Sequence, residues 1–306
     1  MAEAKQKKSA FIALVGRPSV GKSTLVNLLC GEKVAIVSSF PQTTRNAIRG
    51  IVTKEEGQLV FVDTPGRHVS EKKLNKKLME VSDRALDDSE LILYVVDASR
   101  IPGAEEEAIA LRIAGSQKRT IVGINKTDLP AVDVRPYFQF IKEKLPEIPL
   151  ERCFKISCVT REGIDALLAC IFEMAGYGEA FYPEEYYTDQ DISFRIAEII
   201  REKAVNRLRQ ELPHSLYVEV ADAELRESKT GAERQTLWVR AFIITERESQ
   251  KGMVVGKGGE MIKTIRQTAQ KELNRIFDWK VELDLRVKTG KDWRHNDTIL
   301  RRIIDR

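Results

Sequence analysis

The chemistry open to this chain is concentrated in a few short stretches. GRPSVGKST, from Gly16 to Thr24, fits the pattern GxxxxGKS/T. In such a loop, glycines let backbone N–H groups turn toward phosphate oxygens, and the helix that follows adds its partial positive charge. Gly16, Arg17, Pro18, Ser19, Val20 and Gly21 would form the cradle, Lys22 would reach the β- and γ-phosphates, and Ser23 would offer a hydroxyl to Mg²⁺, with Thr24 next in the first helical turn. Further on, LVFVDTPG ends an apolar run with Asp63, suited to the same Mg²⁺, then Thr64, Pro65 and Gly66, whose N–H can face a γ-phosphate. Between the two lies SSFPQTTRN, a polar, proline-broken loop in which Thr44, in preference to Thr43, can close on the cation.

INKTD chooses the base. Asp128 can accept from both N1–H and the exocyclic N2–H₂ of guanine, donors that adenine lacks, while Asn125 braces the pocket and the Lys126 stem covers the ring. A site built for such donors rejects an analogue lacking them by roughly 10⁴-fold. ISC, Ile156 to Cys158, ends a further apolar run, where a backbone N–H at Ser157 or Cys158 can meet guanine O6. The expected ligands are GTP or GDP with Mg²⁺. The metal set is Ser23, Thr44 and Asp63, and the groups closest to bond breaking are Lys22, Thr44, Asp63 and Gly66.

The runs FIALVG, LVFVDT, LILYVVDAS, RTIVGIN and CFKIS recur with helix-length segments between most of them. That alternation predicts an α/β domain with a mostly parallel sheet and helices on both faces. Ligands of such sheets bind at the C-terminal ends of the strands, where these motifs fall. A chain of 306 residues suggests two domains. The boundaries read as 1–176 for the nucleotide domain, 177–191 for an aromatic, acidic linker that packs between the domains, and 192–306 for a second domain. The four cysteines form no CxxC pair or Cys/His cluster, so a disulfide framework or zinc site is not indicated. The apolar run near the N-terminus is too short for a signal peptide, and no segment approaches the ~20 apolar residues of a membrane span.

Residues 192–306 change grammar. ISFRIAEIIREKAVNRLRQ carries Ile196, Ile199, Ile200, Ala204 and Leu208 at helical spacing, LYVEVADAEL and QTLWVRAFIIT alternate as a hairpin, WKVELDLRVK is a third strand and TILRRIID a short final helix. MVVGKGGEMIKTIRQ again crowds glycines beside a lysine. It sits between two helices, however, and has no magnesium hydroxyl, so a second nucleotide pocket does not fit. The order α, β, β, α, GKGG, α, β resembles the bacterial-type (type II) KH domain, an α+β fold whose GxxG turn grips the backbone of about four single-stranded nucleotides. The resemblance assigns RNA contacts to Gly256, Lys257, Gly258, Gly259, Lys263 and Arg266; a plain helical hairpin is the alternative. Residues 249–306 hold 14 Lys+Arg against 8 Asp+Glu, so the excess positive charge of the chain lies in this segment.

The order of phosphate loop, threonine loop, DTPG, NKTD and SC resembles the translation-factor-like GTPases. Together with PQTTR, YPEE, AEIIREK, LPHS and GKGGEMIKTI, it is similar to the Era-like family of bacterial ribosome-assembly GTPases. That resemblance implies slow GTP hydrolysis, binding near the 3′ end of 16S ribosomal RNA, association with the 30S subunit, a monomer, and a cytoplasmic location with loose attachment to the inner membrane face. The alternatives are a GTP-gated RNA-binding switch whose hydrolysis is a timer, and a KH-containing GTPase acting on another RNA. Three departures stand out. Ser19 replaces an asparagine linked to potassium binding, Arg67 follows DTPG in place of an apolar residue, and Arg286 replaces a bulky aromatic in the last strand.

Overall fold

The structure, a computed structural model, describes residues 6–38, 40, 43–66, 73–208, 212–227 and 235–304. It divides into two units. One comprises Met1–Ala35 with Thr44–Asp189, the other Ile36–Thr43 with Gln190–Arg306.

The first unit runs β1 (Lys8–Val15), α1 (Lys22–Cys30), β2 (Ile48–Lys54), β3 (Gly57–Asp63), α2 (Lys73–Asp88), β4 (Leu91–Asp97), α3 (Ala104–Ile113), β5 (Thr120–Asn125), α4 (Arg135–Lys144), β6 (Cys153–Lys155), α5 (Ile164–Met174) and β7 (Gly176–Tyr177). The strand order is β2-β3-β1-β4-β5-β6, with β7 pairing the start of β1. All pairings from β3 to β6 are parallel, while β2 and β7 join antiparallel. Every residue of β3, β4 and β5 is buried, so both faces of these strands are covered, as continuous apolar runs require. One core cluster packs Ile92, Tyr94 and Val96 of β4 against Ile109 and Ile113 of α3 and Tyr137 and Ile141 of α4. The apolar runs did not announce β2, whose IRGIVTK is broken by Gly50 and flanked by charge; pairing with β3 over seven positions makes it a strand. Aromatic and acidic residues after β7 lie along this edge. Gln58 exchanges hydrogen bonds with the Tyr182 backbone, the Ile51 N–H donates to the Tyr187 carbonyl (2.9 Å), and Arg49 pairs with Asp189 (2.7 Å).

The second unit runs α6 (Ile192–Val205), β8 (Leu216–Arg226), β9 (Thr236–Thr245), α7 (Glu248–Val255), α8 (Glu260–Ile276), β10 (Lys280–Thr289) and α9 (Asp297–Ile304). Asp191 caps α6 by accepting from the N–H groups of Ser193 and Phe194. The sheet order is β10-β9-β8, with β10 parallel and β8 antiparallel to β9. Ile196, Ile199, Ile200, Ala204 and Leu208 are all buried in its core with Ile265, Ala269 and Leu273 of α8, whereas Ile262 and Ile276 are only partly covered. The segment Ile36–Thr43 belongs to this unit. Val37 N–H donates to Glu202 (2.9 Å), Asn206 donates to the Val37 carbonyl (3.2 Å), and Arg201 donates to the Thr43 carbonyl (2.5 Å).

The chain's three tryptophans, Trp238, Trp279 and Trp293, all lie in the second unit, so their fluorescence reports its unfolding. Leu273 has no exposed surface. In urea unfolding followed by tryptophan emission, Leu273→Ala is expected to cost about 2–5 kcal/mol, the usual range for emptying a packed leucine site. A shift within experimental error would remove α8 from the core.

Candidate functional site

The motifs of the first unit meet at the C-terminal ends of β1, β3, β4 and β5. The phosphate loop leaves β1, and Gly21 stands at the start of α1 with φ +104°, so close to Asn125 that a Cβ there would lie 2.4 Å from its side-chain nitrogen. Lys22 is buried and curled onto its own loop, its Nζ donating to the carbonyls of Gly16 (2.9 Å) and Arg17 (3.2 Å). Burial lowers the Lys22 pKa, and the nearby Asp63 carboxylate opposes that shift.

Three oxygens from three different segments converge beside it. Ser23 Oγ donates to Asp63 Oδ2 (2.6 Å), Thr44 Oγ1 donates to the same oxygen (3.2 Å), and the two hydroxyls lie 3.0 Å apart. Asp63 has no exposed surface, and its Oδ1 has no hydrogen-bond partner. Burial raises its pKa, against the lowering pull of Lys22 and the two hydroxyls. A buried carboxylate with an unused oxygen, flanked by two hydroxyls, is a fitting donor set for a hard divalent cation. Thr43 is turned elsewhere, its hydroxyl donating to the Phe40 carbonyl (2.7 Å). Thr64 also faces inward, donating to the Leu14 carbonyl (2.7 Å), and Pro65 is buried beside it. Gly66 is the last described residue of that loop and approaches Pro18 closely. Arg67 lies outside the described residues.

The base-reading residues form a second cluster. Asn125 donates to the Val20 carbonyl (2.8 Å) and its side-chain oxygen receives the Cys158 N–H (3.3 Å), tying the ISC turn to the phosphate loop. Ser157 Oγ–H donates to Asp128 Oδ1 (2.6 Å) and accepts the N–H groups of Val159 and Thr160, which fixes the carboxylate's orientation. Lys126, at φ +67°, bridges the Ser19 carbonyl (2.9 Å) and Asp97 (2.6 Å). Burial would raise the Asp97 pKa, yet hydrogen bonds from Lys126 and Ser99 hold it below its ordinary value. Sequence reasoning missed Asp97; its position at the end of a β-strand was the available signal. The side chain of Arg17, on which the sequence is silent, turns inward. It is buried against Glu106 (2.9 Å), so any role of Arg17 toward phosphate falls to its backbone. Ser19 takes φ +63° and Val20 is fully buried, leaving their backbones as the contacting groups; Thr24 follows half-buried in α1.

In the second unit, GKGG joins α7 to α8. Gly256, Gly258 and Gly259 have φ values of +75°, +61° and +79°, and the turn leaves Lys257 and Gly258 exposed at its tip. Lys263 is exposed one turn into α8, while Arg266 is half-buried at the mouth of an open groove of about 400 Å³, lined also by Trp238, Gln270, Lys280 and Leu283. Arg286 lies on the exposed side of β10, paired with Asp284 (3.0 Å).

A family described as 50S ribosome-binding GTPase matches residues 11–126, and the KH domain family matches residues 211–294. A Treponema denticola protein named GTPase Era is 50% identical over 295 residues, spanning 96% of this chain and 99% of its own length. The chain belongs to the Era family of GTPases. The Borreliella burgdorferi Era of strain B31 is 45% identical over 97% of this chain and its full length. Two solved Era structures share the whole fold. One, in complex with MgGDPNP and nucleotides 1506–1542 of 16S ribosomal RNA, has a TM-score of 0.90 and 33% identity over 97% of this chain and 98% of that one. The other, a variant of Aquifex aeolicus Era bound to GDP and AlF4⁻, has a TM-score of 0.89 and 34% identity over the same shares. Like other Era family members, the chain is a GTPase.

With Asp128 held by Ser157, Asp128→Asn is expected to weaken GTP binding and improve binding of xanthosine triphosphate, because the amide can donate to the carbonyl at C2 of xanthine. Nucleotide titrations check it. Unchanged GTP affinity would remove NKTD from the base site.

Proposed function

We propose that this chain binds GTP with Mg²⁺ in the first unit, hydrolyses it slowly, and clamps single-stranded RNA near the 3′ end of 16S ribosomal RNA with the second, as a factor maturing the 30S subunit. The observation that carries the nucleotide reading is the convergence of Ser23, Thr44 and Asp63 on one point beside Lys22. Ser23 and Thr44 hydroxyls would hold Mg²⁺ with Asp63 behind them; the cation supplies charge neutralisation for the β- and γ-phosphate oxygens. Lys22, released from the Gly16 and Arg17 carbonyls, binds the same phosphates, and the Gly66 N–H faces the γ-phosphate. Catalysis of this kind rests on positioning and on fixed charge rather than on a nucleophilic side chain. Slow turnover follows from the lack of a glutamine after DTPG to orient the attacking water.

The RNA reading is supported by the exposed GKGG turn between two helices, the basic C-terminal segment, and the 16S RNA bound by a family member. Both sites lie in one chain, so a monomer suffices. The cytoplasm is the compartment where ribosomal subunits are assembled. Among the described residues no helix is long and apolar enough to cross a membrane, and attachment to its inner face would be peripheral.

Thr44→Ala is expected to slow single-turnover GTP hydrolysis at least about tenfold while GDP affinity changes little, as for loss of a group supporting a metal site. Hydrolysis at the wild-type rate would take Thr44 out of the reaction. For the RNA site, Lys257→Asp with Gly258→Asp places two carboxylates where phosphates must approach. Fluorescence anisotropy against an oligonucleotide of the 16S 3′ end is expected to show loss of binding with GTP affinity intact. Wild-type RNA affinity in that double variant would reduce GKGG to a helical turn.

A further inference from the structure

Of the six residues between the end of β1 and Lys22, only Arg17 carries a long side chain, and it is spent inside the protein. Its Nε lies 2.9 Å from Glu106 Oε1, with 8% and 2% of the two side chains exposed, an ion contact in which Nε makes no hydrogen bond. Arg17 Nη2 donates to Tyr137 Oη (3.5 Å), whose hydroxyl in turn donates to Glu106 Oε1 (3.4 Å). The other carboxylate oxygen of Glu106 receives the Gly103 N–H at the start of α3 (3.1 Å). Glu106 is therefore fixed by its helix on one side and meets the loop on the other. Tyr94 Oη, buried without a partner, lies close enough that the charges of Glu106 and Arg17 act on its ionisation.

Two other anchors hold the same loop by its backbone, Lys126 at the Ser19 carbonyl and Asn125 at the Val20 carbonyl. Both belong to the base-reading motif. The anchor at Arg17 comes from α3 and α4, and no nucleotide motif contains it. It also holds the residue whose carbonyl receives Lys22. We propose that Glu106, assisted by Tyr137, is a positioning residue of the nucleotide site: it holds Arg17 inside the protein so that the loop's N–H groups and Lys22 are set for the β-phosphate. The charged contact and the Tyr137 bridge are directional ties from the loop to α3 and α4. With the carboxylate gone, or with apolar residues in place of the pair, the loop loses this third anchor and its backbone can shift. A loop whose function is preorganisation loses affinity when its backbone shifts.

This inference rests on the nucleotide reading above, and wild-type titrations separate the two. If the wild-type chain failed to bind GDP, the nucleotide reading itself would fail. Given wild-type binding, Glu106→Gln is expected to weaken GDP about tenfold or more, the scale on which small displacements act in preorganised sites. Guanosine, which has no phosphate and competes only at Asp128 and Asn125, should bind the variant as it binds the wild type. A purely structural pair makes a different forecast. Replacing a buried ion pair with apolar residues commonly preserves stability, so Arg17→Met with Glu106→Leu keeps the protein folded even if Glu106→Gln alone unfolds it. The positioning role requires that this double variant melt near the wild-type temperature yet remain weak for GDP and normal for guanosine. GDP affinity within twofold of wild type in the folded variants, or equal losses for GDP and guanosine, would overturn the proposal.

Discussion

A carboxylate with no exposed surface stands at the C-terminal end of β3, and the nucleotide site is arranged around its charge. Asp63 receives two hydroxyls on one oxygen and nothing on the other, with the Lys22 charge acting on it. Left as an isolated anion it would be costly to bury. The cost becomes useful if a divalent cation and a phosphate chain complete the shell. The parallel sheet makes this possible, since strands with buried faces deliver their C-terminal residues to one edge while the connecting loops supply flexible backbone.

The same edge explains why so much of the site was legible in the sequence. Phosphate, magnesium and guanine each demand particular residue types, and those types fall just beyond strand ends that apolar runs already mark. Ser23, Thr44 and Asp63 meet beside Lys22 for that reason, while Asn125 reaches the same loop and Asp128 is held by Ser157 in a second cluster. Arg17 occupies an unspecified position of the loop pattern: its carbonyl lines the loop, while the burial of its side chain against Glu106 has no sequence signal. Glu106 and Asp97 gave no motif at all. Their partners lie 89 and 29 residues away, as Arg17 and Lys126, and only folding brings them together.

In the second unit, helical spacing located α6 and α8, and strand alternation located the hairpin, because each buries one face in a single core. What periodicity could not reveal is that Ile36–Thr43 folds with this unit. Val37 meets Glu202 across 165 residues of sequence, and both partners of that loop on α6, Arg201 and Glu202, read as ordinary charged helix positions. Their burial to 2% and 3% exposure shows that they are interior groups with fixed partners. The chain thus passes from the second unit to the first between Thr43 and the hydroxyl of Thr44.

The central claim is that Ser23, Thr44 and Asp63 together form the seat of the catalytic cation. A crystal structure of the chain with Mg²⁺ and a non-hydrolysable GTP analogue tests it most directly. The account predicts Ser23 Oγ and Thr44 Oγ1 at about 2.0–2.1 Å from the ion, the distance Mg²⁺ demands of its oxygen ligands, with Asp63 in hydrogen-bonding reach of that shell and Lys22 on the phosphates. An ion seated away from these three residues, or a Thr44 hydroxyl turned from it with the γ-phosphate in place, would contradict it.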